Sequence, residues 1–327
     1  MQARPLGSTG LRVTPVGLGL AAVGRPAYID LGRDADLGAD RGVEALERRC
    51  HQVLDAAFAA GVRYLDAARS YGRAEAFLAS WLQGSGLDPA EVTVGSKWGY
   101  TYVGDWRMDA EVHEVKDHSV AALGRQLGES RAQLGDHLEL YQVHSATLDS
   151  GVLEDRAVLA ELARLRDQGV VVGLSTSGAG QAATIRRALE VTAAGVAPFA
   201  CVQATWNLLE PSAGPALAEV KAAGWGVIVK EALANGRLSP HGQGAAAATL
   251  GRVAAGHGVG VDAVALAAVL AQPWVDVVLS GAVSPGQLQA NLGALRVELQ
   301  PAELRELATM AEPPGRYWQE RAALSWS

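Results

Sequence analysis

The chain has few cysteines, no excess of positive charge and no long apolar run. Its 327 residues include two cysteines, and the formal net charge is −7. Cys50 and Cys201 are not in a metal or redox spacing, so we expect both to be small core residues. A negative charge balance gives no field that would attract nucleic acid or an anionic membrane. The first residues lack the apolar segment of a signal peptide, and no stretch reaches membrane-span length, which predicts a cytoplasmic protein.

Lysine is also scarce, and its positions are informative. The four lysines are Lys97, Lys116, Lys221 and Lys230. Lys97 and Lys230 fall at the ends of predicted strands, where a lysine that only contacts solvent is least expected. These two side chains are therefore candidates for chemistry.

What the chain does contain is a regular alternation of apolar runs and amphipathic segments. Hydrophobic residues make up 49% of the sequence, enough for a large core. Eight strand–helix units predict one α/β domain over residues 1–327, a (β/α)8 TIM barrel. We expect a β-hairpin at residues 4–15, with an insertion at 25–41 and a C-terminal tail over the barrel mouth. A long helix is predicted at 110–134. The predicted strands are residues 13–18, 62–65, 92–96, 138–143, 170–174, 199–203, 226–229 and 275–279.

Four polar side chains follow three of these strands. Asp66 ends the second strand and Tyr71 follows it in the loop, while Lys97 ends the third. His144 ends the fourth strand. Barrel enzymes place their chemistry at the carboxyl ends of the strands. We therefore expect these four side chains to meet in one site.

The four side chains suit proton transfer to a carbonyl oxygen. A tyrosine in water has a pKa of about 10, and a nearby ammonium lowers it by favouring the phenolate. A carboxylate beside the lysine keeps the lysine charged and oriented. The phenol of Tyr71 can then donate a proton as hydride reaches the carbonyl carbon. A neutral imidazole at His144 can hydrogen-bond the same oxygen and orient the substrate.

Each of these residues alone has an ordinary structural explanation. A single Asp or Tyr after a strand is usually a cap or a packing residue, and a single His is usually a structural one. Lys97 is the hardest to explain in that way, because an unpaired lysine entering a barrel mouth is costly. The occurrence of all four at strand ends favours catalysis.

Several spaced motifs resemble the aldo-keto reductase family across nearly the whole chain. The matching stretches are Gly17-Leu18-Gly19, Asp66-Ala67-Ala68-Arg69-Ser70-Tyr71-Gly72, Ser96-Lys97-Trp98-Gly99, Tyr141-Gln142-Val143-His144, Gly173-Leu174-Ser175, Val202-Gln203, Trp206-Asn207-Leu208-Leu209 and Ser280-Gly281-Ala282 with Gln287, Leu288 and Asn291. The resemblance implies a barrel without a Rossmann domain, with a nicotinamide cofactor extended across its mouth. It implies that Tyr71 is the general acid/base, that Lys97 and Asp66 adjust its pKa, and that His144 orients the carbonyl.

The resemblance also assigns positions around the nicotinamide ring. Ser175 and Gln203 match residues that hold the carboxamide, and Gly19 is placed among the cofactor contacts. Thr176 stands where the family commonly has Asn. Lys230 stands where an aromatic residue usually stacks on the ring. A cation there would disfavour the oxidised, positively charged nicotinamide unless a carboxylate offsets it. An outward-turned Lys230 is the alternative.

The rest of the cofactor is assigned in the same way. The segment from Leu233 through Asn235 to Arg237 matches a loop that wraps the pyrophosphate, and Arg237 suits that charge. The adenosine end matches Gly281, Gln287 and Asn291. NADPH or NADP is the cofactor that the resemblance implies. The stretch Val283-Ser284-Pro285-Gly286-Gln287 contains no basic residue for a 2′-phosphate, so NAD is the open alternative.

Aromatic side chains near the predicted mouth suggest a small carbonyl compound or sugar as substrate. We predict substrate contacts from Tyr28, Trp98, Tyr100 and Trp106. No metal is implied, because two histidines on the helix predicted at 110–134 are five residues apart and do not share a face. A monomer or small homo-oligomer is expected.

Two other functions are compatible with the same residues. One is a Schiff-base lyase or aldolase that uses Lys97 or Lys230, with Tyr71 as acid. In that case the motifs at Ser175 and Gln203 would have no purpose. The other is a nicotinamide-binding regulatory subunit that senses redox state and contacts a partner.

Overall fold

A computed structural model describes residues 1–326 and contains twelve strands and twelve α-helices. The strands are β1 (Arg4–Pro5), β2 (Arg12–Val13), β3 (Val16–Gly19), β4 (Tyr64–Asp66), β5 (Thr93–Trp98), β6 (Tyr100–Tyr102), β7 (Glu114–Lys116), β8 (Leu138–Ala146), β9 (Val171–Thr176), β10 (Cys201–Thr205), β11 (Gly226–Lys230) and β12 (Val277–Ser280). The helices are α1 (Arg33–Leu37), α2 (Val43–Ala59), α3 (Ala74–Ser85), α4 (Val120–Leu134), α5 (Arg156–Asp167), α6 (Gln181–Glu190), α7 (Gly214–Ala222), α8 (Gly244–His257), α9 (Val261–Leu270), α10 (Pro285–Leu292), α11 (Pro301–Ala308) and α12 (Pro314–Ala322).

Eight of the strands close into a parallel barrel, which confirms the predicted fold class. Their order around the barrel is β3, β4, β5, β8, β9, β10, β11 and β12, with β12 pairing back to β3. The apolar runs predicted as strands are buried because parallel strands are covered on both faces. All eight carboxyl ends therefore face the same mouth.

The predicted hairpin closes the opposite end of the barrel. β1 and β2 pair antiparallel, with Arg4 opposite Val13. Leu6 lies between them and is fully buried against the barrel interior, beside the start of β11. Ser8 N donates to Gly224 O at 2.7 Å and fixes the turn to the barrel.

The helix predicted at 110–134 begins ten residues later than expected. β6 and β7 form a short antiparallel hairpin, with Thr101 opposite Val115. α4 begins at Val120 because Ser119 caps it by accepting a hydrogen bond from Ala122 N at 3.2 Å. His113 and His118 therefore lie before the helix and not on it.

The insertion at 25–41 covers the barrel mouth, as predicted. It contains the short helix α1 and is held by Arg33, which donates to backbone carbonyl groups of residues 22–26. Leu31 N donates to Asn235 O at 3.0 Å, and Asn235 Nδ2 donates to Ile29 O at 2.8 Å. These bonds attach the insertion to the loop after β11.

The C-terminal tail also reaches the mouth, and it does so with a helix that the sequence analysis did not predict. Tyr317 of α12 is buried, and its hydroxyl accepts from Asn207 Nδ2 at 3.0 Å. Arg321 of α12 forms a two-point ion pair with Glu231, directly after β11. The tail is thus fixed to the carboxyl ends of β10 and β11.

Both cysteines are buried core residues, as predicted. Within residues 1–326, no single helix is long and apolar enough to span a membrane. α8 and α9 meet that length and composition only as a pair bent by 87°. α9 is buried along most of its length.

Candidate active site

The four candidate catalytic side chains come together at the barrel mouth. Asp66 ends β4, and Lys97 lies in β5 next to it. Tyr71 follows β4, and His144 lies near the end of β8. The ring centroids of Tyr71 and His144 are 5.5 Å apart, and Lys97 Nζ lies 4.9 Å from the Tyr71 centroid.

Lys97 is a buried ammonium whose charge is balanced by the carboxylate of Asp66 beside it. Its Nζ donates to Asp66 Oδ2 at 2.5 Å and to Ala67 O at 2.9 Å. Burial lowers the pKa of Lys97, and Asp66 opposes that effect. The Lys97 side chain is fully buried and does not line the cavity, so it acts on the cavity through its neighbours Asp66 and Tyr71.

Asp66 is held from both of its oxygens. While Oδ2 faces the lysine, Oδ1 accepts from Tyr64 Oη at 3.1 Å and from Gln203 Nε2 at 2.8 Å. These donors fix the orientation of the carboxylate. Asp66 thereby orients the side-chain amide of Gln203.

Tyr71 is a buried phenol whose ring packs edge-on against His144, with 84° between the ring planes. The pKa of Tyr71 is raised well above its usual value, first by burial and then by the negative charge of Asp66. This direction is opposite to the expectation that Lys97 lowers it. The reason is that Asp66 neutralises Lys97 at close range while burial penalises the phenolate.

His144 is neutral in this environment. Its pKa lies well below the usual value because of burial and then because of the nearby charge of Lys97. His144 Nδ1 lies 3.3 Å from Ser70 Oγ. If the Ser70 hydroxyl donates to Nδ1, the imidazole proton resides on Nε2, where it can donate to a substrate oxygen.

A cavity of about 660 Å³ opens at these side chains and extends along the mouth. Asp66, Tyr71 and His144 line it. The predicted cofactor and substrate residues that line it are Gly19, Tyr28, Tyr100, Gln203, Lys230, Leu233, Asn235, Gly281, Gln287 and Asn291. Those that do not line it are Trp98, Trp106, Ser175, Thr176 and Arg237.

The buried polar atoms behind the cavity fit a carboxamide. Gln203 Oε1 and Thr176 Oγ1 are buried and make no hydrogen bond with residues 1–326. Ser175 Oγ accepts from Ser145 N at 2.8 Å, which leaves its own proton free to donate. An amide needs both an acceptor for its NH2 group and a donor for its carbonyl oxygen, and these residues provide both.

Lys230 faces the cavity and is not turned outward. Its Nζ donates to Thr205 Oγ1 at 2.8 Å and lies 3.7 Å from Glu231 Oε1. Burial lowers the pKa of Lys230 to about 8. Glu231 adopts a left-handed φ of 55°, which is uncommon for a residue with a side chain. The acid is shared by Lys230 and Arg321.

Arg237 is already paired. Its guanidinium makes a two-point contact with Glu312 and lies 3.1 Å from Glu320 Oε2. The predicted pyrophosphate contact from this side chain therefore competes with two acids of the C-terminal region. The loop around it still reaches the cavity through Leu233 and Asn235.

The adenosine end of the predicted cofactor site is polar, and none of the residues within 1–326 that line the cavity there is basic. Asn291 Nδ2 donates to Ser280 Oγ at 2.9 Å, and Gln287 Oε1 accepts from Val283 N at 2.9 Å. Asp262 lines the same cavity. Its pKa is raised by burial.

Two of the four predicted substrate contacts lie away from the cavity. Trp98 is fully buried in the core. Trp106 packs edge-on against Phe77, and its Nε1 donates to Arg41 O at 2.9 Å. Tyr28 and Tyr100 do face the cavity.

Several polar residues of the cavity wall were not singled out from the sequence, among them Arg25, Glu114 and Arg321. Arg25 begins an insertion that gives no periodic signal. Glu114 lay inside the helix predicted at 110–134, so its true position could not be inferred. Within residues 1–326, no three His, Cys, Asp or Glu side chains converge as metal ligands would.

Comparison with known proteins identifies the family. The family model described as the aldo/keto reductase family matches residues 42–312, well over half of the chain. The chain belongs to the aldo-keto reductase family. Membership supports an oxidoreductase, and the family generally uses nicotinamide cofactors.

Solved structures agree with this assignment. A proposed aldo-keto reductase from Pseudomonas aeruginosa is 26% identical with a TM-score of 0.64, over 93% of this chain and 94% of that chain. An aldo-keto reductase from Bacillus halodurans, in its holo form, is 22% identical with a TM-score of 0.72, over 96% and 97%. At 22% identity, the likeness to the Bacillus halodurans structure supports the fold alone. No curated protein matches the chain.

Proposed function

We propose that this aldo-keto reductase transfers a hydride between NAD(P)H and a small carbonyl compound, with Tyr71 as proton donor. The observation that carries the proposal is the buried group of Asp66, Lys97, Tyr71 and His144 at one end of a long cavity. The cofactor, when bound, supplies the hydride. Gln203 lines the cavity and would hold its carboxamide, with Ser175 beside it on the neighbouring strand and Thr176 next in that strand as the further candidates.

The protein's own residues handle the proton and the carbonyl oxygen. His144 is neutral and can donate from Nε2 to that oxygen. A phenol is protonated at neutral pH, and burial raises the pKa of Tyr71 further, so Tyr71 is ready to donate in the reductive direction. In the oxidative direction the same phenol would have to lose its proton first, which its environment disfavours.

A fluorescence titration with NADPH and NADH tests cofactor use. Quenching of the tryptophan emission in the micromolar range by either would support the proposal. Binding of neither would overturn it. The ratio of the two dissociation constants decides between NADP and NAD.

Replacing Tyr71 with Phe tests the role of the phenol. We expect turnover to fall by at least about a hundredfold, the lower range for removal of a general acid. Turnover is measured by steady-state kinetics. The dissociation constant of the cofactor, measured by titration, should stay within about twofold of the wild-type value. Tyr102→Phe removes the same hydroxyl from a residue that does not line the cavity and is the matched control. Retained turnover in Tyr71→Phe would contradict the assignment.

A Schiff-base reaction is the competing activity. Lys97 is committed to Asp66 and Ala67, which removes it as a nucleophile. Lys230 is the remaining candidate, since it faces the cavity. Trapping of an aldehyde on Lys230 by borohydride, followed by peptide mapping, would favour that activity.

Tight cofactor binding without turnover on a broad carbonyl panel would favour the regulatory subunit instead. A location in the cytoplasm and a monomeric or small homo-oligomeric state stay predictions from the sequence.

A further inference from the structure

The cations at the catalytic end of the cavity differ in how their charges are balanced. Lys97 faces Asp66 at 2.5 Å, and Arg25 faces Glu114 at 2.8 Å, so each of these cations has an acid beside it. Lys230 also has an acid within reach, but it shares that acid with a second cation.

The shared acid is Glu231, and Arg321 of α12 already neutralises it. Arg321 Nε lies 3.1 Å from both carboxylate oxygens of Glu231, and Thr205 Oγ1 donates to Oε2 at 2.9 Å. Lys230 Nζ lies farther away, 3.7 Å from Oε1. The charges of Lys230, Glu231 and Arg321 therefore add up to one positive charge. Since Arg321 satisfies the carboxylate, Lys230 is not needed to hold Glu231 in place.

This excess positive charge lies inside the cavity and not in bulk solvent. The Lys230 side chain lines the cavity and is 15% exposed, and its Nζ donates one proton to Thr205 Oγ1 at 2.8 Å. Burial lowers the pKa of Lys230 to about 8, Glu231 opposes this effect, and Arg321 and Lys97 add to it. Lys230 is therefore mostly charged at pH 7 and mostly neutral at pH 9.

The ammonium of Lys230 lies next to the positions where the proposed reaction takes place. Its partner Thr205 is two residues beyond Gln203 on β10, so both side chains share one face of the strand, about 7 Å apart. Burial, Lys97 and Lys230, in that order, lower the pKa of His144. Lys230 thus acts both on the proposed carboxamide position and on the residue proposed to bind the carbonyl oxygen.

The nicotinamide ring is the part of the cofactor whose charge changes during the reaction. It is positive in the oxidised form and neutral in the reduced form, while the remainder of the cofactor is the same in both. A cation on this wall repels only the oxidised ring. The two forms therefore differ in affinity by the amount of this repulsion.

We propose that Lys230 makes the protein bind the reduced nicotinamide cofactor more tightly than the oxidised one. This inference rests on the proposed reductase function and adds the residue that selects the redox state. From a mixture of both forms, the protein would take up the one that reduces carbonyl groups. By linkage, the complex with oxidised cofactor is destabilised by the same factor.

The size of the preference is limited by the proton of Lys230. Loss of this proton relieves the repulsion, and at pH 7 the loss costs one pKa unit, which is about tenfold in affinity. At pH 9 the proton is already lost, so the preference should disappear. Among the charged neighbours, Glu231 stays ionised over this range because its pKa is about 2, and Arg321 keeps its charge.

The test measures the dissociation constants of both redox forms at pH 7 and pH 9. The reduced form is titrated by tryptophan quenching and the oxidised form by competition against it, with the NADH or NADPH pair, whichever binds more tightly. We expect the ratio of oxidised to reduced constants at pH 7 to be about tenfold higher in wild-type protein than in Lys230→Met. At pH 9 the two ratios should agree within about twofold. Lys116→Met removes a lysine on exposed β7 that does not line the cavity, and it should keep the wild-type ratios.

Two results with wild-type protein need no variant to fold. Equal dissociation constants for the two forms at pH 7 would overturn the inference and leave the reductase function in place. Binding of neither form would overturn the proposed function as well.

Two results with Lys230→Met would also overturn the inference. The wild-type ratio at pH 7, retained in the variant, would assign the selection to another group. Succinate semialdehyde and butanal test a role towards the substrate. If a wild-type preference for succinate semialdehyde in kcat/KM is lost in the variant while the cofactor ratio is unchanged, Lys230 binds an anionic substrate instead.

Discussion

Lys97 acts on its surroundings through Asp66 and not as a free cation. Both groups are buried, and their atoms are 2.5 Å apart, so their charges largely cancel at the distance of Tyr71. The pKa of the phenol is consequently set by burial and lies well above its usual value. A phenol that stays protonated is a competent proton donor to a developing alkoxide. The pair therefore serves to position the site, with Asp66 also holding Gln203.

Ser70 orients the imidazole of His144, and replacing it tests that contact. Ser70→Ala removes a hydroxyl that is 3.3 Å from Nδ1, so the imidazole loses the bond that fixes its proton on Nε2. We expect kcat/KM to fall about tenfold, the value of one hydrogen bond. Cofactor affinity, measured by titration, should not change.

Ser80→Ala is the control for this prediction, because the Ser80 hydroxyl bonds Glu47 on the outer helices. Unchanged kcat/KM in Ser70→Ala would show that His144 is held by its packing against Tyr71 and Tyr100 instead.

At the scale of elements, α12 is held to the barrel by an acid at the end of β11. Glu231 accepts from Arg321 at two points and from Thr205 Oγ1 at 2.9 Å. These partners lower the pKa of Glu231 to about 2, with Arg321 the largest favourable influence against the cost of burial. Removing only one partner of such a buried ion pair strongly destabilises a protein, because the other charge stays buried without compensation.

The lowered pKa predicts how stability depends on pH. The unfolded chain protonates Glu231 near its ordinary pKa of 4.5, whereas the folded protein keeps it ionised down to about 2. The unfolded state therefore binds more protons in that window, and stability is complete above it and lost as the pH falls through it. The contribution is about 3 kcal/mol.

Glu231→Gln should remove this part of the acid sensitivity, measured as the free energy of unfolding in urea between pH 5 and pH 3. Glu219→Gln, on the exposed outer surface, is the control. An equal pH dependence in wild type and Glu231→Gln would contradict the prediction.

Elements differed in how far the sequence could predict them. The eight barrel strands were recognisable because parallel strands are buried on both faces and form continuous apolar runs. β6 and β7 have three residues each and are partly exposed, so they leave no such run. For that reason the helix predicted at 110–134 began too early and included the residues of β7. α12 begins at Pro314, and its stability depends on Tyr317 and Arg321 meeting residues more than eighty positions away.

At the scale of the whole molecule, the cavity has its cations at one end. Arg25, Lys230 and Arg321 line the catalytic end together with their acids. At the end formed by α10, the lining residues are Asp262, Gly286, Gln287, Ala290 and Asn291, none of them basic. The four candidate catalytic side chains and the lack of a basic residue after β12 were both evident from the sequence. The role of Arg237 was not, because its partners Glu312 and Glu320 are distant in the chain.

This distribution predicts a preference for NADH over NADPH. By the resemblance to the family, the α10 end holds the adenosine, and a 2′-phosphate there would add about 1.5 to 2 negative charges, with no basic side chain among the described lining residues to receive them. We expect NADH to bind at least as tightly as NADPH in a tryptophan-quenching titration. Asp262→Asn should lower the dissociation constant of NADPH severalfold and leave that of NADH within about twofold, because only NADPH carries the 2′-phosphate that a carboxylate at this end of the cavity repels.

Asp109→Asn, which removes an acid from an exposed loop, controls for the change in net charge. Tenfold tighter binding of NADPH by the wild-type protein would contradict the prediction. It would mean that the phosphate is received by another part of the mouth, where His241 of the loop after β11 lies 3.3 Å from Asp36 Oδ2 of the insertion. In that case His241→Ala should weaken NADPH binding and spare NADH, so that the same titration locates the phosphate whichever cofactor is preferred.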